Sequence, residues 1–130
     1  MIRFAILPAL PALLLASMGG ALAQADNSIN ITLTNYAFTP SALSLTTGTT
    51  YHLHFVNNGS KDHNFSAPEF FAASEIAPED QAKVEKGLVT LESGQSADIT
   101  LTPNRSGTFA AECTHFMHKM MGMHGTITVQ

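Results

Sequence analysis

The sequence has a single cysteine, few charged residues and no cluster of basic ones. Lysine and arginine number 6 among 130 residues, against 10 aspartates and glutamates. A mildly acidic chain without a basic cluster disfavours nucleic acids and anionic membranes as partners. One cysteine excludes a disulfide within the chain, so the thiol is either a buried inert group or a metal ligand.

The only long apolar run lies at the N-terminus. Arg3 precedes an apolar stretch at residues 5–16, which two prolines interrupt, and small residues follow. This pattern predicts a secretory signal peptide at residues 1–25, cut after Ala25 or Ala23. A membrane anchor is disfavoured because the run is short and has no basic flank on its far side. We therefore expect one domain at residues 26–130, a monomer with no membrane span, in the periplasm or secreted.

Alternation of apolar and polar residues predicts an all-β domain. Seven short strands are expected, at residues 29–33, 43–45, 51–55, 88–91, 97–101, 107–113 and 125–129. Their length and spacing are typical of an antiparallel β-sandwich. Residues 66–92 are the least regular part, and one short helix is expected there, beginning at Pro78 and ending at Gly87.

The segment after the sixth predicted strand concentrates the soft metal donors. Cys113 follows Phe109 and Ala111 on the apolar face of that strand. The next residues hold three of the six histidines and four of the six methionines. Thiolate, imidazole and thioether donors together suit copper. The sequence therefore predicts a metal site at this end of the sandwich.

The spacing of the donors indicates which of them would bind. Cys113, His118 and Met123 follow a Cys-x4-His-x4-Met pattern. We expect His118 rather than His115, because one residue after Cys113 hardly lets the chain turn back. Two imidazoles, a thiolate and a long axial thioether define a blue-copper site. Such a site needs a second histidine.

The identities of the second histidine ligand and of the axial ligand are inferred from different observations. His63 lies just past a predicted turn at residues 57–59, at the same end of the sandwich, and would supply the second imidazole. Met121 stays open as an axial alternative to Met123, since it is only three residues from His118. His52 and His54 share a polar strand face, where we expect solvent and no site.

Two segments resemble the cupredoxin family. Asn57 followed by His63-Asn64-Phe65 is similar to the first-histidine segment of cupredoxins. Cys113-Thr114, then His118 and the run Gly-Met-His-Gly-Thr-Ile-Thr-Val at residues 122–129, resembles the family's C-terminal loop and last strand. The resemblance implies a Greek-key sandwich that carries single electrons on one copper ion cycling between Cu(I) and Cu(II).

The resemblance also implies roles for individual residues. His63, Cys113 and His118 match the equatorial ligands, and Met123 matches the axial one. Asn64 and Thr114 match the pair that fixes the ligand loops. These six residues, with copper as the cofactor, make up the expected site.

Two functions are compatible with such a site. The first is one-electron transfer to redox partner proteins, without enzymatic activity. The second is copper tolerance or delivery with copper-handling proteins as partners, which the surplus donors favour. Those extra donors are His115, Met117, Met120, Met121 and His124. Phe116 and Met117 are expected to form an exposed apolar rim around the metal.

Overall fold

Two five-stranded sheets pack face to face in the computed structural model, which describes residues 27–130. The predicted signal peptide lies outside these residues. The first sheet has the order β2 (Ala37–Thr39), β1 (Ser28–Thr34), β4 (Tyr51–Asn57), β8 (Ser96–Pro103) and β6 (Ser74–Ile76). The second has the order β3 (Ala42–Leu45), β10 (His124–Val129), β9 (Gly107–Glu112), β5 (His63–Ser66) and β7 (Leu88–Leu91). The predicted β-sandwich is confirmed.

Both sheets contain one parallel pair of strands, which the sequence analysis did not expect. Strand β1 runs parallel to β4, and β3 runs parallel to β10. All other pairings between strands are antiparallel. Alternation reveals which face of a strand is buried but says nothing about the direction of its neighbour. The sandwich is therefore mixed rather than purely antiparallel.

Seven of the ten strands lie where alternation placed them, and three were missed. The missed strands are β2, β5 and β6. Strands β2 and β6 have only three residues each, too few to show a period of two. All four residues of β5 are buried, so that strand shows no alternation. His63 is the first residue of β5, just past the turn after which it was expected.

The connecting segment contains two short helices instead of the single expected one. Helix α1 (Pro68–Ala72) was not predicted, and it buries Phe70 and Phe71. The second is a 3₁₀ helix at Pro78–Lys83, which ends before Gly87. Asp80 explains its position, because the side chain accepts hydrogen bonds from Lys83 Nζ at 2.6 Å and from the Thr100 backbone N–H at 2.8 Å.

The hydrophobic core lies between the two sheets. Its packing stabilises the end of the sandwich that carries the predicted site. Phe65 on β5 is central to it, with ring centroids 5.1 Å from both Phe38 and Phe55. Aromatic pairs at this distance add to the free energy of burial. This packing anchors β5, whose first residue is His63. Within residues 27–130 the helices are too short to cross a membrane.

Candidate metal centre

The three predicted equatorial donors come together at one end of the sandwich. His63 begins β5, Cys113 directly follows β9, and His118 lies in the turn between β9 and β10. One donor atom from each of the three residues lies within 4.8 Å of the others. They form a possible metal site.

The donor atoms face one another closely. His63 Nδ1 lies 3.1 Å from His118 Nδ1, and His118 Nδ1 lies 3.4 Å from Cys113 Sγ. His63 is fully buried and Cys113 is 1% exposed, whereas His118 is only partly buried. The site therefore has a buried interior and one histidine that reaches the surface.

The electrostatics of the site favour neutral imidazoles with free lone pairs. Burial lowers the pKa of His63, and the neighbouring His118 lowers it further. Burial also lowers the pKa of His118, with a smaller effect from His115. A neutral imidazole is the form that binds a metal ion. Both rings are thus suited to act as ligands.

The donor set fits a soft metal ion such as copper. Trigonal nitrogen and sulfur donors at about 2.0–2.3 Å from an ion lie roughly 3.5–4 Å from one another. Two of the three separations, 3.1 and 3.4 Å, are close to that spacing, and all three lie within 4.8 Å. Two imidazoles with one thiolate match the trigonal plane of a blue-copper site. The arrangement can hold one ion with little rearrangement.

Met123 lies at the base of the ligand turn, and its backbone joins the two ligands of that segment. Its carbonyl accepts a hydrogen bond from the Cys113 N–H, and its own N–H donates to the His118 carbonyl, both at 3.0 Å. The side chain is fully buried. Met121, the alternative axial residue, is 55% exposed. Burial therefore favours Met123 as the fourth donor.

Gly122 allows the chain to return into β10 beside the site. Its φ of +122° is one that residues with a side chain rarely adopt. A Cβ atom there would lie 2.9 Å from the Tyr36 carbonyl oxygen. A larger residue at this position would displace the turn that carries Met123.

Asn64 and Thr114 connect the two ligand segments through their side chains and backbone. The Asn64 Nδ2 donates to Thr114 Oγ1 at 2.7 Å, and the Thr114 N–H donates to Asn64 Oδ1 at 2.9 Å. Each residue directly follows a candidate ligand along the chain. This pair therefore fixes His63 relative to Cys113, in the role that the resemblance implied.

Asn57 shapes the turn that leads to His63. Its buried amide donates to the carbonyls of Lys61 and Leu91 at 2.8 and 3.0 Å. Its Oδ1 accepts a hydrogen bond from the Gly59 N–H at 2.9 Å. A buried amide with three partners holds such a turn in one conformation. The turn is thus fixed before the chain enters β5.

Two residues that contact the candidate ligands were missed by the sequence analysis. Asn35 Oδ1 lies 2.7 Å from His63 Nε2. The Tyr36 ring packs on both histidines, with centroids 4.8 Å from His118 and 6.1 Å from His63. No local pattern marks them, because they lie in the connection between β1 and β2, far along the chain from both ligands.

Three further histidines occupy different surroundings. The His115 ring lies 5.5 Å from the His118 ring, and its buried Nε2 has no hydrogen-bond partner among residues 27–130. His52 and His54 lie on the outer face of the first sheet and pair with Thr100 and Asp98. Neither of these two belongs to the cluster of donors.

The chain matches the family model of the cupredoxin-like domain over residues 6–129. No curated protein shows significant sequence similarity to it. Its fold is similar to that of reduced auracyanin from the photosynthetic bacterium Roseiflexus castenholzii, with 23% identity and a TM-score of 0.60. That alignment covers 80% of this chain and 97% of the auracyanin.

Two further solved structures share the fold. Auracyanin A, a "blue" copper protein from the green thermophilic photosynthetic bacterium Chloroflexus aurantiacus, is 18% identical with a TM-score of 0.56, and the alignment covers 79% of this chain and 98% of that one. A multicopper oxidase from Campylobacter jejuni is 13% identical with a TM-score of 0.57, and the alignment covers 78% of this chain but only 29% of the oxidase. At these identities the likeness concerns the fold.

Proposed function

Because this chain belongs to the cupredoxin-like domain family, we propose that it is an exported type 1 copper protein that acts as a one-electron carrier. One observation carries the proposal. Donor atoms of His63, Cys113 and His118 converge within 4.8 Å at one end of the sandwich. Two imidazoles and one thiolate are the equatorial set of a blue-copper centre.

The proposed ligands are His63, Cys113 and His118 in the equatorial plane, with Met123 on the axis. The full burial of Met123 and its backbone hydrogen bonds to both ligand residues of the turn support this assignment over Met121. Copper bound there would take up and release one electron by cycling between Cu(I) and Cu(II). Rigid attachment of the ligands suits this task, since a site acceptable to both oxidation states needs little rearrangement.

The same arrangement supports a carrier rather than an enzyme. Four protein donors would leave the ion no open position for a substrate, which catalytic metal sites retain. Electrons would pass through His118, because it is the one ligand of the equatorial three that is partly exposed. Exposed apolar residues surround it on the same turn, with Phe116 at 90% exposure. A redox partner protein would dock on this rim.

The proposal also includes export of the protein by its N-terminal segment. Residues 1–25 would direct secretion and be removed, leaving a monomeric domain at residues 26–130 in the periplasm or outside the cell. An oxidising compartment gives the unpaired Cys113 a reason to be held as a metal thiolate. N-terminal sequencing of the protein recovered from the periplasmic or extracellular fraction would test both the location and the cleavage site.

An absorption spectrum during Cu(II) titration tests the copper centre. We expect an intense thiolate-to-copper band that saturates at one ion per chain, and reversible one-electron cycling in voltammetry. Cys113→Ser should abolish the band while the domain stays folded, because serine has a similar volume. A parent without the band, or a mutant that retains it, would contradict the proposal.

A second candidate function is copper tolerance or delivery. The observation that favours it is the exposure of Met117, Met120 and Met121, since thioethers at the surface can exchange Cu(I). Copper transfer to an acceptor protein at a rate faster than spontaneous dissociation would favour delivery. Slow release together with fast, reversible electron exchange would favour the carrier.

A further inference from the structure

The turn between β9 and β10 exposes three methionines, although methionine is usually a buried residue. Met117 is 44% exposed, Met120 is 80% exposed and Met121 is 55% exposed. Met123, the only other methionine among the described residues, is fully buried. Side chains exposed to this extent gain only part of the free energy that full burial would give. The three thioethers are therefore free to bind something else.

Backbone hydrogen bonds bring the three methionines onto one tight turn. The Met121 N–H donates to the Met117 carbonyl at 3.1 Å, which closes a turn of five residues that begins at Met117 with a φ of +66°. This hydrogen bond holds the backbones of Met117 and Met121 next to each other, and Met120 is the chain neighbour of Met121. Long, flexible side chains starting from these positions can direct their sulfur atoms to a common point.

Three neighbouring thioethers form a soft donor set that selects Cu(I). We propose that Met117, Met120 and Met121 constitute a second metal site, a surface site for Cu(I). This site is separate from the buried centre and shares no proposed ligand with it. It does not depend on the proposed electron transfer, but it rests on the same exposed methionines as the second candidate function, copper delivery.

The charges around the turn are compatible with a bound cation. Lys119 is the basic residue between the methionines, and its Nζ pairs with Glu112 Oε2 at 2.6 Å. The carboxylate offsets the ammonium charge and draws it toward β9. Thioethers are neutral, so the site would hold Cu(I) without adding charge of its own. Its affinity would come from the softness of sulfur rather than from Coulomb attraction.

The surface site would also supply a short route for loading the buried centre. Met121 donates a second backbone hydrogen bond to the His118 carbonyl at 3.2 Å. The exposed thioethers and the partly exposed imidazole thus belong to one turn. Cu(I) captured outside would need to move only past His118 to reach Cys113.

Anaerobic titration with Cu(I) against a chromophoric chelator such as bicinchoninate tests the proposal. The parent should withhold two Cu(I) ions per chain from the chelator. The triple variant Met117→Leu/Met120→Leu/Met121→Leu should withhold one, because leucine keeps the volume but removes the sulfur atoms. Phe116→Leu, an equally exposed change without loss of sulfur, should withhold two. A parent that withholds one ion, or a triple variant that withholds two, would overturn the site.

Methionine methyl NMR separates the two sites. With ¹³C-methyl methionine, the first Cu(I) equivalent should shift the Met123 signal, and the second should shift those of Met117, Met120 and Met121. A second equivalent that leaves these three signals unmoved would overturn the surface site. The thiolate-to-copper band of the Cu(II) form reports only the buried centre, so its absence would contradict the electron carrier and leave the methyl shifts to decide the surface site.

Discussion

The Asn35 Oδ1 atom lies 2.7 Å from the His63 Nε2 atom, so an exposed amide orients a fully buried imidazole. A carbonyl oxygen can only accept a hydrogen bond, and Nε2 must therefore carry the proton. This leaves a lone pair on Nδ1, the atom that faces His118 and the thiol. Gly59 makes room for the contact, since a Cβ there would lie 2.5 Å from Asn35 Oδ1.

Asn35→Leu should weaken copper binding through this contact. Without its acceptor, the His63 ring is free to adopt the other tautomer, and losing such a partner lowers metal affinity about 10–100-fold. Competition with a Cu(II) chelator measures the affinity, and ¹⁵N NMR of the metal-free protein reports the tautomer. Ser60→Ala removes only the partner of the Asn35 Nδ2. It should change the copper affinity and the His63 tautomer far less. Equal affinities in parent and Asn35→Leu would contradict the role.

The axial assignment predicts different reduction potentials for two methionine variants. Met123→Leu should raise the potential and keep a coloured thiolate site, because an axial thioether stabilises Cu(II) relative to Cu(I). Met121→Leu should change the potential little, since that side chain is largely exposed. Protein-film voltammetry measures both. The opposite pattern would assign the axial position to Met121.

A charge at the apolar rim should slow electron exchange. Phe116→Glu places a carboxylate on a side chain that is 90% exposed, so it should disturb docking and leave the absorption spectrum nearly unchanged. Thr47→Glu adds the same charge at the opposite end of the sandwich, where Thr47 bonds to Gln130, and controls for net charge. Stopped-flow exchange with a redox partner measures the rates. Equal slowing by both variants would show that docking does not involve the rim.

Asp80 should make stability depend on pH in the acid range. The hydrogen bond from Lys83, followed by that from the Thr100 N–H, holds the pKa of Asp80 below its ordinary value of 3.8. A depressed pKa contributes stability that is present above 3.8 and lost as the pH falls through the folded-state pKa. The parent should therefore be more stable than Asp80→Asn at neutral pH.

That difference in stability should shrink as the pH falls below 3.8. Urea unfolding of both proteins across this range measures it. Asp98→Asn is the matched control, because Asp98 is 77% exposed and its pair with His54 should contribute about 0–1 kcal/mol at neutral pH. A gap between parent and Asp80→Asn that stays constant with pH would contradict the assignment.

The sequence by itself determined the features that depend on neighbouring residues. Alternation located seven strands and placed Cys113 on the apolar face beside Phe109 and Ala111, all of which are buried. The spacing within one turn identified Cys113, His118 and Met123 as a group. These inferences succeed because a strand buries alternate residues and a short turn keeps its donors close, whatever the rest of the chain does.

Only the tertiary structure decided what depends on contacts between distant segments. It put His63 in a buried strand 55 residues from His118 and set Asn35 against it from 28 residues away. It also distinguished buried Met123 from exposed Met121, which the spacing alone left open. Burial and hydrogen bonding at such separations arise from the packing of the two sheets, and no local period encodes that packing.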